Sequence, residues 1–319
     1  MKDPRRTIPE TMRFAPWRAR DGWMLRSFSR APSVRPRGSL LFLGGRGDFV
    51  EKYLEAFDHW HRRGWQVDGF DWRGQGGSGR MLPDPLICHL DSFDPLVDDL
   101  QDFIAQWLLR APPPHIPVAH SMGAHLLLRL LAERPVAFDG AVLLAPMAGI
   151  ATGPIPVRAL PLIADLAIAA GLARRRLWRR DPGNRNGRMT SCPDRLADKI
   201  WWKAHRPQVA SGAPSWGWLG SAIRSIRRLE KAPGLESVDV PVLILASEGD
   251  PIIDLAALRR TAARLPNAGL HVLPGSGHEL LREADRFRLP AIARIDAFLD
   301  ARADAPRFGR DDAMRSRTA

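Results

Sequence analysis

The chain has 319 residues, of which 45% are hydrophobic and 26% are charged, a balance that supports a sizeable core and excludes an intrinsically disordered protein. Its 47 Lys and Arg residues outnumber its 35 Asp and Glu residues, and the net charge of +12 raises the question of an anionic partner. Only two cysteines are present, which excludes a disulfide scaffold and fits a reducing compartment.

The first half of the chain alternates short apolar segments with longer amphipathic ones. Apolar runs bounded by turn residues predict strands, and apolar spacings of three and four predict helices. In chain order these rules predict a hairpin over residues 12–28, a strand over 39–43, a helix over 48–63, a strand over 66–72, a helix over 93–109, a strand over 116–119, a helix over 121–133 and a strand over 140–145. This order predicts a mostly parallel sheet with an antiparallel hairpin at its start.

The alternation stops after the sixth predicted strand. Residues 149–235 are rich in Pro, Trp and Arg, and a structureless loop of that length is uncommon, so we expect a helical cap there. Strands over 240–246 and 269–273 and helices over 254–265 and 284–301 then resume the pattern. We expect an N-terminal core segment over 10–148, a C-terminal core segment over 236–301 and a disordered tail over 302–319.

A nucleophile elbow is predicted at residues 119–123, Ala-His-Ser-Met-Gly, between a strand and a helix. The small residues two positions before and after Ser121 allow the sharp turn that exposes the hydroxyl above the sheet, at the helix N-terminus. The five-residue pattern alone is weak evidence, and the strand before it and the helix after it make the prediction much stronger.

A serine nucleophile needs a base, and the base needs a carboxylate that orients it. His278 follows the last predicted strand in a Gly-rich loop, and Asp250 follows the preceding strand. The chain order Ser121, Asp250, His278 is that of an α/β-hydrolase, and all three lie where open α/β sheets carry their sites. Two alternatives remain at this point: Glu248 as the carboxylate, or Asp250 as the cap of the next helix.

The oxyanion of such a reaction needs two backbone N–H donors. Met122 follows the nucleophile and supplies one. We assign the other to Arg46, because the glycines of the segment 44–47 after the third strand let the backbone approach closely. We expect no cofactor and no metal, since the acidic residues near His89 fall on the solvated face of one helix.

These segments resemble the lysophospholipase and monoacylglycerol-lipase branch of the α/β-hydrolases. The resemblance rests on residues 45–53, 71–78, 89–93, 120–123, 249–250 and 277–283, and residues 189–191 and 213–219 resemble the bacterial lysophospholipases in particular. It implies an α/β-hydrolase fold, with an eight-stranded, mostly parallel sheet flanked by helices and a helical cap after the sixth strand. It also implies serine-dependent hydrolysis of a lysophospholipid or monoacylglycerol ester through an acyl-enzyme. Ala119 and Gly44 depart from the family's usual residues, and Gly44 lacks a side chain that often braces the oxyanion loop.

The predicted cap is both apolar and basic. It holds five of the eleven tryptophans, which suits an acyl chain, and we expect Gly45, Trp216 and Trp218 to contact substrate. Positions 151 to 235 contain sixteen Lys and Arg residues but only five Asp and Glu residues, whereas basic and acidic residues are nearly equal in number in the rest of the chain. We therefore expect the cap to contact an anionic membrane surface, and we expect no nucleic acid partner.

Residues 1–9 are charged and lack the apolar core of a signal peptide, so we expect a cytoplasmic protein, peripheral at the inner membrane surface. Three alternative functions remain for this sequence. They are a general carboxylesterase, a small-peptide hydrolase, and a catalytically silent lipid- or membrane-binding protein.

Overall fold

The computed structural model describes residues 3–32, 34–153, 156, 158–178 and 189–304. The part before the predicted cap contains, in chain order, strands β1 (Met12–Arg18), β2 (Met24–Arg30) and β3 (Gly38–Leu43), helix α1 (Leu54–Arg62), strands β4 (Trp65–Phe70) and β5 (Ile87–Cys88), helix α2 (Asp94–Arg110), strand β6 (His115–His120), helix α3 (Met122–Glu133) and strand β7 (Ala141–Leu144). Then follow helices α4 (Ala159–Ala167) and α5 (Pro193–His205), strand β8 (Ala213–Pro214), helix α6 (Trp216–Lys231), strand β9 (Val242–Ser247), helix α7 (Leu255–Ala262), strand β10 (Ala268–Leu273) and helix α8 (Asp285–Ala303).

Eight of these strands form one sheet, in the order β1-β2-β4-β3-β6-β7-β9-β10. The β1–β2 and β2–β4 pairs are antiparallel and all the other pairs are parallel. The predicted α/β-hydrolase fold with a mostly parallel eight-stranded sheet is therefore confirmed. At the hairpin turn, Gly22 has a φ of +89°, a conformation that favours glycine.

The central strands are buried over their whole length, because helices cover both faces of the sheet. One hydrophobic cluster packs residues of α2, α3, α6 and α7 against one face. A second packs residues of α1 and α8 against the other face. This double cover explains why the middle residues of β3, β6, β7 and β9 are apolar without alternation.

Helices α4, α5 and α6 lie between β7, the sixth strand of the main sheet, and β9, as the sequence predicts for a cap. A short parallel pair, β5 with β8, links this region to the loop before α2, and no sequence pattern predicted it. Residues 179–188, part of the predicted cap, lie outside the described residues. Helix α8 ends at Ala303, and the rest of the predicted tail from residue 305 also lies outside them.

Candidate active site

The elbow at Ser121 places the hydroxyl at the junction of β6 and α3. Ser121 has φ +52° and ψ −112°, a strained conformation for a residue with a side chain, and it precedes the first residue of α3. A Cβ at Gly123 would lie 2.5 Å from the carbonyl oxygens of both Leu43 and Gly44, so only glycine fits there. Ala119 is fully buried in β6, and the turn accommodates its methyl group.

The three predicted triad residues lie together at the C-terminal edge of the sheet. The Ser121 hydroxyl donates to His278 Nε2 at 3.0 Å, and His278 Nδ1 donates to Asp250 Oδ2 at 2.5 Å. Ser121 is 6% exposed and His278 is 2% exposed, so the hydrogen bond between them is shielded from bulk water. This is the geometry of a serine nucleophile, a base and an orienting carboxylate.

The structure separates Asp250 from its two alternatives. The second carboxylate oxygen of Asp250 accepts from the backbone N–H groups of Ile252 and Ile253, which fixes the side chain toward His278. Helix α7 is capped by Asp254, whose side chain accepts from its first turn. Glu248 is exposed to solvent. Of the candidates, it is therefore the Asp250 carboxylate that is hydrogen-bonded to His278.

Electrostatics favour an ionised carboxylate at Asp250. Burial raises the pKa of Asp250, but the charge of His278, its hydrogen bond and the two backbone N–H donors outweigh burial, so the pKa lies below its ordinary value. An ionised Asp250 holds the proton of His278 on Nδ1 and leaves Nε2 free to accept a proton from Ser121.

In the predicted oxyanion loop, two backbone N–H groups are hydrogen-bonded to side chains, and the N–H group between them is not. The Gly45 N–H donates to Asp48 Oδ2 at 2.7 Å, and the Gly47 N–H donates to Gln75 Oε1. The Arg46 N–H between them has no acceptor within the described part of the chain. Met122 is the first residue of α3, where a backbone N–H has no intrahelical acceptor. The backbone N–H groups of Arg46 and Met122 are thus both available as donors, and their role as the oxyanion hole stays a prediction.

Asp48 braces this loop, a role that the sequence analysis did not assign. Its Oδ2 accepts from the Gly45 N–H, from the Tyr53 hydroxyl at 2.7 Å and from His120 Nδ1 at 3.1 Å. Its position in a Gly-rich turn, three residues after Gly45, was the available signal, because Asp often bonds the backbone of its own turn.

A buried group of charges lies beneath the loop. Lys52 donates to both Asp48 and Glu279, and Glu279 also accepts from Arg282. Burial raises the pKa of Asp48, but Lys52 and His120 outweigh it and hold that pKa well below its ordinary value. Burial likewise raises the pKa of Glu279, and Lys52 and Arg282 outweigh it, so that pKa is also lowered. Both carboxylates are therefore ionised partners of Lys52.

A cavity of about 790 Å³ opens beside the triad, and its size suits a lipid-sized ligand. Its walls include residues adjacent to the triad: Arg46 in the oxyanion loop, Pro251 after Asp250, and Glu279 after His278. Much of its lining is apolar and comes from the core and from the cap, namely Met147, Ile150, Leu160, Leu177, Trp178, Leu196, Ile200, Trp218, Leu219 and Ile252.

The three residues expected to contact substrate lie in different places. Trp218 lines the cavity, and the Arg46 guanidinium lies over its ring at 5.6 Å. Gly45 lies under the nucleophile, where a Cβ would be 3.1 Å from the Cβ of Ser121. Trp216 packs against the small apolar cluster of Ala164, Leu219 and Ile223 in the cap and is not among the residues that line this cavity.

Two further histidines near Ser121 support the site without entering the triad. The ring of His120 lies 4.8 Å from that of His278 and behind the elbow. His125 is fully buried in α3 and bonds the Ser225 hydroxyl at 2.7 Å. Burial and the charge of Arg129 lower the pKa of His125 to about 3, so this ring is neutral in the folded protein at neutral pH.

Comparison with known proteins places this chain in a family. Residues 34–285 match the family described as serine aminopeptidase, S33. The chain belongs to the serine aminopeptidase S33 family. Among the relatives of this chain, the probable lysophospholipase L2 of Haemophilus influenzae is 30% identical over 85% of this chain and 87% of its own length. Lysophospholipase L2 of Escherichia coli is 31% identical over 80% of this chain and 78% of its own.

A solved structure shares the fold of this chain. A soluble variant of monoglyceride lipase from Saccharomyces cerevisiae, in complex with a substrate analog, superposes with a TM-score of 0.74 at 19% identity, covering 93% of this chain and 98% of that one. The S33 family and the relatives above make this chain a hydrolase of the esterase and lipase type. Within the described ranges, no helix has the length and apolar character needed to cross a membrane.

Proposed function

We propose that this S33 hydrolase cleaves the carboxylic ester of a lysophospholipid or a monoacylglycerol through an acyl-enzyme. The observation that carries the proposal is the hydrogen-bonded series Ser121, His278 and Asp250 at the edge of a largely apolar cavity. The lysophospholipase names of the two bacterial relatives support the same class of substrate.

The reaction uses only groups of this chain and water. Ser121 Oγ attacks the acyl carbon while His278 Nε2 takes its proton, and the N–H groups of Arg46 and Met122 donate to the oxyanion. His278 then gives the proton to the departing alcohol oxygen, which leaves Ser121 acylated. Water attacks the acyl-enzyme while His278 takes its proton, and His278 then returns that proton to Ser121 Oγ as the fatty acid leaves. Asp250 orients His278 throughout.

Two enzymatic alternatives share this fold. A general carboxylesterase would not require a long acyl chain, whereas the apolar lining of the cavity favours one. An aminopeptidase would need an unpaired carboxylate for the free amine of its substrate. The carboxylates that line the cavity, Asp48 and Glu279, are both bonded to Lys52, so they do not offer that site.

A substrate panel tests the proposal. Lysophosphatidylcholine, monoacylglycerols, p-nitrophenyl esters of rising chain length and an aminoacyl p-nitroanilide are compared, with Ser121→Ala as the control. We expect kcat/KM to rise with acyl length and the anilide to remain uncleaved. Preferential cleavage of the anilide would establish the peptidase instead. Failure of the wild-type protein to react with a fluorophosphonate would establish the catalytically silent binder.

We further propose that the cap rests on an anionic membrane, at the cytoplasmic face of the inner membrane. Leu162 and Leu166, one helical turn apart on α4, are 62% and 61% exposed. Arg174 and Arg175, a few residues later, are exposed as well. An exposed apolar face beside exposed cations suits the interface of an anionic bilayer. The equally basic Arg179 and Arg180 lie outside the described residues.

Vesicle flotation tests this membrane proposal. Replacing Arg174, Arg175 and Arg176 by Gln should weaken binding to anionic vesicles. Replacing three exposed arginines outside the cap, Arg259, Arg260 and Arg286, by Gln should not. Equal binding by both triple variants would contradict the proposal.

A further inference from the structure

Three lysines form a cluster in the wall of the cavity. Lys52, Lys199 and Lys203 all line it, and Lys199 interacts electrostatically with both of the others. Lys199 and Lys203 are four residues apart on α5, so they project from the same face of that helix. We call Lys52, Lys199 and Lys203 the lysine cluster.

The carboxylates bonded to Lys52 do not pair with Lys199. Asp48 and Glu279 both accept from Lys52, and Glu279 also accepts from Arg282. Lys203 donates to the carbonyl oxygen of Ser211 at 3.2 Å. Among the residues that the structure describes, Lys199 has no hydrogen bond or ion pair. Lys52, Lys199 and Arg282 are therefore three cations beside two carboxylates, Asp48 and Glu279.

Such an arrangement is costly for a purely structural feature. A lysine withdrawn from bulk water is normally paired, and like charges four residues apart destabilise a helix. Burial, together with Lys52, Lys203 and Arg282, lowers the pKa of Lys199 to about 8, against the opposing effect of Glu279. Lys199 is thus still mostly protonated at neutral pH. A bound anion would supply the missing negative charge.

The position of the lysine cluster relates it to the reacting ester. Lys52 contacts Glu279, the residue after His278, and Asp48, which holds Gly45 against Ser121. Two residues, Asp48 and Gly45, therefore connect Lys52 to the nucleophile. In a lysophospholipid, three glycerol carbons lie between the acyl ester oxygen and the phosphate ester oxygen, so the phosphate stays close to the scissile bond.

We propose that the lysine cluster binds the phosphate of the substrate's head group, which makes phosphate-bearing lysophospholipids better substrates than neutral monoacylglycerols. An ammonium group suits this ligand because it is a compact charge with three donors. The inference rests on the proposed ester hydrolysis and chooses between its two substrate classes.

A matched pair of substrates with the same acyl chain tests the inference. Palmitoyl lysophosphatidylglycerol and monopalmitoylglycerol are hydrolysed in the same neutral micelles by the wild type, Lys199→Met and the control Lys231→Met. Lys231 is exposed at the end of α6, so its variant makes the same change of charge away from the cavity. We expect Lys199→Met to raise KM for the phosphate ester about tenfold, the loss expected for one charge-assisted contact, and to change the neutral ester less than twofold.

Two further readouts keep the outcome clear. Removing an unpaired, partly buried charge should leave Tm unchanged or higher in Lys199→Met, which separates a binding defect from a folding defect. Glycerol 3-phosphate should inhibit the wild type competitively and Lys199→Met more weakly.

Each contrary result has a distinct meaning. The head-group proposal is overturned if Lys199→Met lowers kcat/KM equally for both substrates, or if the wild type prefers the neutral ester. Inhibition by inorganic phosphate without any substrate effect in Lys199→Met also overturns it, since the cluster then binds free phosphate. A wild-type protein that hydrolyses neither ester refutes the proposed function instead.

Discussion

Asp48→Asn probes how the oxyanion loop is held in place. The carboxylate of Asp48 accepts from the Gly45 N–H, Tyr53, His120 and Lys52, and asparagine keeps only one acceptor oxygen. If that oxygen keeps the Gly45 N–H, the amide group faces the Lys52 ammonium, donor against donor. The bond to Gly45 becomes a neutral one, about half as strong, a loss of about 1.4 kcal/mol.

That loss predicts a fall in kcat of about tenfold, with KM nearly unchanged, since the loop holds the transition state rather than the acyl chain. Breaking the buried pair with Lys52 should also lower the free energy of unfolding by about 3 kcal/mol, toward the lower limit for such pairs because Glu279 remains as a partner. Steady-state kinetics and urea unfolding measure the two effects.

The matched control for this variant is Asp58→Asn. Asp58 pairs with Arg30 and Arg62 at a partly exposed position outside the oxyanion loop, so its variant should keep the wild-type kcat. An Asp48→Asn protein with wild-type kcat and wild-type stability would refute the reasoning that Asp48 positions the loop.

Three other variants test the site and its support. Asp250→Asn should lower kcat by about 10⁴-fold because His278 loses the partner that fixes its tautomer, whereas Glu248→Gln should stay within twofold of the wild type in the same ester assay. The folded-state pKa of His125 is about 3, against 6.5 unfolded, so the unfolded chain binds more protons between these values. The free energy of unfolding should therefore fall as pH drops from 6.5, by about 1.4 kcal/mol per unit from this residue, and urea unfolding at pH 7 and pH 5 should show a smaller fall for His125→Gln. Gly123→Ala should lower stability by about 1–3 kcal/mol or more through its clash with backbone oxygens. Gly269→Ala should cost far less in the same unfolding measurement, because its Cβ would lie 4.0 Å from the nearest atom, His271 Nε2.

The central strands were predictable because parallel strands buried on both faces appear as unbroken apolar runs. Features that depend on partners distant in sequence could not be predicted in this way. The helix predicted over 48–63 begins as α1 only at Leu54, since the Val50 N–H is taken by Asp71 and a short 3₁₀ turn precedes the helix. The β5–β8 pair is two residues long in each strand, too short to have any periodicity.

The candidate triad was accessible to sequence reasoning because its residue types, chain order and strand-end positions all follow from the chemistry. The roles of Asp48 and Lys199 could not be predicted in this way, because they depend on side chains that are distant in sequence and lie nearby only in the folded chain. Glu279 lies 227 residues from Lys52 in sequence, yet the two side chains form a buried ion pair. No local sequence pattern predicts such a pair, and none predicts the unpaired charge of Lys199 beside it.

Labelling with a fluorophosphonate, followed by peptide mass spectrometry, tests the central claim most directly. One equivalent of label should attach at Ser121, and Ser121→Ala should neither react nor retain more than about 10⁻⁴ of the wild-type kcat on a palmitoyl ester. A label on another residue, or full ester hydrolysis by Ser121→Ala, would contradict the assignment of Ser121 as the nucleophile.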